Sequence, residues 1–180
     1  MLVFTGVCLV VSGCGYTVDQ EGELKAAGFN IEGCALDSPY ELQLDFVGFD
    51  DCDDILYLRI QKGGRHLSES DGVEIQVHKL AEVQDSLESG PVTLELDGEN
   101  VRLTVYFNRT CPQSFVPLEA GSGTLTIDEM SLKSGGKLIL SAQFDLVDLR
   151  TEEVVGNDVT LSVDAEISTS SPYKGHTYCM

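Results

Sequence analysis

Positively charged residues are scarce in this sequence. Its 180 residues include 11 Lys and Arg against 30 Asp and Glu, which gives a formal net charge of −19 at pH 7. A chain with this charge repels phosphate backbones and anionic head groups. The composition therefore argues against nucleic acid as a partner and favours cationic partners or divalent ions, although acidic surfaces often serve only to keep a protein soluble.

The sequence also lacks the short motifs of common catalytic and metal sites. Its three histidines, His66, His78 and His176, are far apart, and no two have the spacing of a metal-binding pair. No G-x-S-x-G segment is present. We therefore predict no catalytic residue, no metal ligand and no cofactor. A hydrolase whose carboxylates meet only in the folded chain remains an alternative, because paired carboxylates have no local spacing signature.

The most conspicuous local feature is an acidic run that consists of Asp50, Asp51, Cys52, Asp53 and Asp54. Hard divalent cations prefer several carboxylate oxygens, so such a run could bind Ca²⁺. It does not match the EF-hand loop, because Ile55 and Leu56 stand where a ligand and a glycine are required. A solvated turn between two strands is the commoner context. A calcium-stabilised adhesive module is the second alternative.

The first 18 residues contain no charge, and their apolar stretch runs only from Leu2 to Val11. A transmembrane helix needs about 20 apolar residues. A shorter apolar segment followed by small residues is typical of a signal peptide. The residues that end this segment, Val11, Ser12, Gly13 and Cys14, resemble the lipobox of bacterial lipoproteins. The resemblance implies cleavage before Cys14 and transfer of a diacylglyceryl group to the Cys14 thiol.

This resemblance sets the expected organisation of the chain. We predict a signal peptide over residues 1–13, lipidated Cys14 with a polar tether over 14–28, one domain over 29–167, and a polar tail over 168–180. The expected location is the bacterial cell envelope, with the membrane bound through acyl chains on Cys14. Gly15, where an aspartate would favour the inner membrane, favours the outer membrane. No Lys or Arg precedes the apolar stretch, so an ordinary cleaved signal and a buried N-terminal strand remain alternatives.

The sequence contains six cysteines, which are Cys8, Cys14, Cys34, Cys52, Cys111 and Cys179. Removal of the leader and lipidation of Cys14 leave four, which in an exported chain predicts two disulfides with three possible connectivities. We favour Cys34–Cys52, which flank one predicted strand, and Cys111–Cys179, which would fasten the tail. Unpaired buried thiols are the alternative. No pair has C-x-x-C spacing, so a zinc ribbon is not indicated.

Most of the domain alternates hydrophobic and polar residues, which is typical of half-buried strands. This pattern covers residues 41–46, 55–61, 73–77, 92–96, 101–107, 123–132, 137–147 and 159–167. A phase slip at Asp128 and Glu129 predicts a β-bulge. The turn residues 97–100 predict a hairpin between 92–96 and 101–107, and the last three strands predict a meander. The only helix expected in the domain covers residues 80–89.

About eight short strands with at most one short helix predict an all-β fold. A second sheet is the simplest cover for an apolar sheet face, so we predict an antiparallel β-sandwich, with an open barrel as the alternative. The expected function is that of a membrane-anchored envelope lipoprotein. Its domain would be a non-catalytic binding or assembly module whose partner is an envelope protein or a glycan.

Overall fold

The computed structural model describes residues 21–63, 67–112, 117–133 and 135–166. The predicted leader, Cys14, the tail and Cys179 lie outside these ranges. The elements in chain order are β1 (Glu21–Ala26), β2 (Tyr40–Leu44), β3 (Phe46–Cys52), β4 (Ile55–Gly63), a 3₁₀ turn (Leu67–Glu69), β5 (Ser70–His78), α1 (Leu80–Leu87), β6 (Val92–Glu95), β7 (Val101–Phe107), β8 (Leu118–Met130), β9 (Lys137–Asp148) and β10 (Glu153–Glu166).

All strand pairs are antiparallel and belong to one sheet, in the order β2-β1-β10-β9-β8-β7-β5-β4-β3, with β6 also paired to β8. The two edges of this order, β2 and β3, follow each other in the chain and are separated only by Asp45. The Asp45 N–H donates to the Gln61 carbonyl of β4 at 3.0 Å. The sheet therefore curls into a nearly closed barrel-like form, which confirms the all-β fold and the open-barrel alternative in place of two separate layers.

The hydrophobic core lies on the inner face of this sheet because the strands alternate as the sequence pattern indicates. Every second residue is buried along β9 and, from Val159 onward, along β10, whose first half has two register shifts. The largest fully buried side chains are Leu24, Leu56, Leu58, Ile60, Ile75, Leu103, Leu125, Ile127, Leu138, Leu140, Leu146 and Leu161. The predicted meander is confirmed for β8, β9 and β10, and the β8–β9 register shifts between Ile127 and Glu129, which confirms the bulge.

The predicted polar tether is wrong for residues 21–26, which form β1. This strand lies inside the sheet, between β2 and β10, and its Leu24 is fully buried. The segment resembled a tether because its polar side chains face outward, where Lys25 Nζ and Glu23 Oε2 form an ion pair of 2.6 Å. A strand this short contains too few inward residues for its period to be recognised.

The predicted hairpin between 92–96 and 101–107 is also wrong. Both β6 and β7 pair with the same edge of β8, β6 at residues 124–127 and β7 at residues 118–119. They run in the same direction and behave as one interrupted strand, with residues 97–100 as the interruption. Local turn chemistry predicted the turn correctly, but it could not indicate that β8 is the common partner.

The predicted pairing of Cys34 with Cys52 is wrong, because Cys34 forms a disulfide with Cys111, with a Cα–Cα distance of 5.5 Å. Cys34 lies in the connection between β1 and β2, at the end of the sheet where β7 finishes. Cys52 ends β3 beside Ile55, whose partner is His78, and so lies at the opposite end. The disulfide also uses Cys111, which excludes the predicted Cys111–Cys179 bridge.

We call the end of the sheet that holds Cys34 and Cys111 the disulfide end. Three aromatic rings pack there, Phe29, Tyr40 and Phe107, with centroid distances of 5.2 to 5.4 Å. The buried Asp71 accepts hydrogen bonds from the Arg109 and Thr110 N–H groups and from the Thr110 hydroxyl. This carboxylate therefore holds the turn that presents Cys111 to Cys34.

We call the opposite end, which α1 covers, the helix end. The predicted helix is confirmed over Leu80–Leu87, and Leu80 and Val83 are its buried residues. Within the described ranges, no helix has the length and apolarity needed to cross a membrane.

Candidate binding groove at the helix end

A groove of about 400 Å³ lies between α1 and the outer edge of β6. Its walls come from the end of β5, from one side of the helix, from all of β6 and from the 97–100 turn. The lining residues are His78, Lys79, Glu82, Val83, Ser86, Val92, Thr93, Leu94, Glu95, Asp97, Asn100 and Val101. The volume lies within the usual range of ligand pockets.

The groove exists because β5 stops beside it instead of continuing along β6. The chain leaves β5 through Lys79, whose φ of 55° is in the left-handed region, and turns directly into α1. The first turn of the helix is held by Asp54. Its carbonyl accepts from the Leu80 N–H at 3.0 Å, and its Oδ1 accepts from the Ala81 N–H at 2.8 Å. The helix packs against β6 and β8 and buries Leu80 and Val83 in the core, and no described strand pairs with the outer edge of β6.

The outer edge of β6 presents backbone groups to this groove. The Leu96 N–H donates to the Gly123 carbonyl of β8 at 3.0 Å. Because backbone direction alternates along an antiparallel strand, the Leu94 and Val92 groups also point to β8, and those of Thr93 and Glu95 point to the groove. Between the described residues, no backbone hydrogen bond reaches this outer edge of β6. The groove therefore contains an open strand edge.

The inner part of the groove is apolar. Val83 and Val101 are buried at its floor, and Val92 and Leu94 of β6 are half-buried. The β6 side chains on the outer face are polar, and the Thr93 hydroxyl lies 3.1 Å from that of Thr126. Any chain placed along β6 would meet apolar side chains on one face and polar ones on the other.

Acidic side chains stand on both walls of the groove. Glu82 lies on the helix and Glu95 on the strand, both are exposed, and neither forms an ion pair with another described residue. Asp97 adds a third carboxylate at the turn. Lys79 is the single Lys or Arg among the lining residues. The groove therefore has an excess of negative charge and attracts cations.

The 97–100 turn is organised by the Asp97 carboxylate. Its Oδ2 accepts from the Asn100 side-chain amide at 2.6 Å, and its Oδ1 accepts from the N–H groups of Glu99, Asn100 and Val101. The Asn100 side-chain hydrogen bond, followed by the backbone hydrogen bonds, holds the pKa of Asp97 far below its ordinary value. Asp97 is therefore ionised at physiological pH and keeps the turn rigid.

The histidines and the acidic run that the sequence analysis considered as site residues do not come together in one site among the described residues. Asp53 and Asp54 form the tight turn between β3 and β4, both with positive φ, as a two-residue hairpin requires. Among the described residues, no group of three His, Cys, Asp or Glu side chains could hold a metal ion. His78 lies at the margin of the groove, whereas His66 and His176 lie outside the described ranges.

A buried cation lies on the wall of the sheet, away from the groove. Arg59 of β4 exposes only 6% of its surface although it belongs to the outward-facing row, and neither its Nε nor its Nη2 has a hydrogen-bond partner. Nearby, the Tyr106 hydroxyl lies 3.5 Å from the Gln61 side-chain oxygen, and burial raises the Tyr106 pKa. A hydrogen bond from Arg59 and the charge of its guanidinium act in the opposite direction and lower the Tyr106 pKa.

Sequence reasoning missed the groove because it assigned β6 to a hairpin with β7. The available signal was the close succession of a short helix, a Gly90-Pro91 break and a strand of only four residues. A strand of four residues that follows directly after a helix offers few residues for a second neighbouring strand to pair with.

No protein-family model matches this sequence, and neither the curated proteins nor the solved structures show a significant match to it.

Proposed function

We propose that this protein is a lipid-anchored protein of the bacterial cell envelope whose barrel-like domain binds a partner and carries out no catalysis. The anchor rests on the lipobox-like residues Val11, Ser12, Gly13 and Cys14. Gly15 after the cysteine favours the outer membrane. The partner is an envelope protein or a glycan, and nucleic acid is disfavoured by the net charge of −19.

The observation that supports a binding role is the open edge of β6 beside α1. Strand edges are normally covered, shortened or charged, because unpaired backbone groups recruit other chains. Here the edge lies in a groove with an apolar floor, which is the combination expected of a site that takes up a ligand.

Three described carboxylates take part in hydrogen bonds that stabilise the fold. A carboxylic acid that donates a proton near neutral pH needs a raised pKa. The three carboxylates with shifted pKa values, Glu23, Asp97 and Asp148, are all lowered, chiefly by hydrogen bonds from Lys25, Asn100 and Arg150 respectively. These groups suit structural pairing better than acid catalysis.

The anchor is tested by the intact mass of the protein purified from membranes of its native host. We expect a mass that begins at Cys14 and includes acyl chains, because several chains are needed for stable membrane attachment. The matched variant Cys14→Ser should lose the acyl mass and leave the membrane fraction. A protein that keeps its leader, or one cleaved elsewhere without lipid, would contradict the anchor and leave the binding role to be judged separately.

A further inference from the structure

We propose that the groove between α1 and β6 binds an extended peptide segment that alternates apolar and basic residues, and that this segment adds to the sheet as a strand beside β6. The inference deepens the proposed binding function and rests on it, but it does not depend on the lipid anchor. Addition of an extended peptide to an exposed sheet edge is a common mode of recognition.

The backbone of β6 determines that the ligand must be extended. The N–H and C=O groups of Thr93 and Glu95 point to the groove, as the hydrogen bond between Leu96 and Gly123 implies. Only an extended chain can satisfy alternate residues of a strand in this way. A glycan would present hydroxyl groups at other spacings and would not require the backbone N–H of Thr93.

The side chains on the two faces of β6 determine which residues the peptide carries. On the inner face, Leu94 and Val83 offer apolar contacts. Glu95 on the outer face of β6 and Glu82 on the helix wall of the groove offer two carboxylates without an ion-pair partner among the described residues. Because side chains of an added strand alternate between these faces, apolar and basic residues must alternate as well.

Charge complementarity makes this partner preferable to a second copy of the chain. The protein itself has a net charge of −19, so two copies repel each other, and an acidic segment would meet Glu82 and Glu95 with like charge. A basic segment gains attraction both from the groove and from the overall field of the protein. The expected partner is therefore a basic protein segment, not another molecule of this protein.

The decisive experiment measures the anisotropy of a short labelled peptide of alternating Val and Lys, titrated with the full chain in detergent. A peptide of the same length with alternating Val and Glu is the control. We expect saturable binding of the basic peptide and none of the acidic one. Equal affinity for the two peptides, or binding of neither, would overturn the inference.

Two variants of one residue test strand addition itself. Thr93→Pro and Thr93→Ala both remove the hydroxyl, but only proline removes the N–H that faces the groove, and proline is tolerated at that position of an edge strand. We expect Thr93→Pro to bind the basic peptide at least roughly tenfold more weakly than Thr93→Ala, as expected when a backbone hydrogen bond and the fit of the added strand are both lost. Equal affinities would overturn the strand-addition mode.

A surface variant covers the case in which Thr93→Pro does not fold. The double variant Glu82→Lys with Glu95→Lys changes only exposed side chains, and it should bind the basic peptide more weakly than the unchanged protein. An unchanged affinity for the basic peptide would exclude these carboxylates as determinants. Failure of all peptide binding together with acylation at Cys14 would overturn the groove and leave the anchor intact. Peptide binding without acylation at Cys14 would support the groove and overturn the anchor.

Discussion

The two ends of the sheet are closed by different means. At the disulfide end, the Cys34–Cys111 bond and the rings of Phe29, Tyr40 and Phe107 join segments that are distant in sequence. At the helix end, α1 covers the opening mainly by inserting Leu80 and Val83, and its first turn depends on hydrogen bonds to Asp54. The helix end has no covalent link between described residues.

Under the proposed function, this difference separates stability from recognition within one small fold. One end has a covalent and aromatic closure, whereas the other end leaves the outer backbone groups of β6 without a partner among the described residues. The open edge of β6 lies at the helix end. Sites that take up ligands are commonly drawn from the less stable parts of a protein. Variants at the two ends should therefore differ in whether they affect stability alone or binding as well.

The largest effect is expected from the disulfide. Replacing both Cys34 and Cys111 with serine should lower the free energy of unfolding by about 4 kcal/mol, because the bond closes a long loop with a sequence separation of 77. Urea denaturation with and without reductant measures this loss in the free energy of unfolding. Reductant should have no further effect on the double variant, and the affinity for the basic peptide should not change. Weaker peptide binding by the folded variant would show that the two ends are coupled.

A smaller loss is expected from the aromatic cluster. Phe107→Ala removes a side chain that is 5% exposed and contacts two other rings, which should cost about 3 kcal/mol. Thermal and urea denaturation at neutral pH measure the change. Peptide affinity should again be unchanged at temperatures where the variant is folded. A loss below that of an exposed control such as Leu149→Ala would mean that the cluster contributes little.

The helix end should respond with a smaller loss of stability and a change in binding. Leu80→Ala removes a core contact at the margin of the sheet and should cost about 2 kcal/mol, because the helix can relax towards the gap. The position of α1 defines one wall of the groove, so peptide affinity should fall as well. Urea denaturation and peptide titration on the same preparation provide both values. An unchanged affinity would remove α1 from the binding site.

The smallest effect concerns acid and the 97–100 turn. Because the folded state lowers the pKa of Asp97, this residue stabilises the fold above the ordinary Asp pKa of about 3.9. The contribution declines as the pH falls below that value and is lost once the pH passes the lowered pKa. The stability difference between the wild type and Asp97→Ala should therefore be larger at neutral pH than in acid. A difference that is constant with pH would contradict this role.

The candidate site could be predicted only in part from the sequence. The helix over Leu80–Leu87, the strand at Val92–Glu95 and the turn at Asp97 are all indicated by local patterns. Their arrangement is not, because the pairing of β6 with β8 joins residues about thirty positions apart. The local sequence equally allowed a hairpin with β7. The groove follows from this pairing, and so it could not be inferred from the segments alone.

The sequence by itself determined the all-β class, the inner face of most strands, the β8 bulge and the acidic surface. These properties depend on composition and on a period of two residues, which are local and independent of strand order. Only the tertiary structure decided that β1 belongs to the sheet, that Cys34 meets Cys111 and that β6 keeps an open edge. Each of these depends on which distant segments become neighbours, and a local period of two residues does not specify strand order.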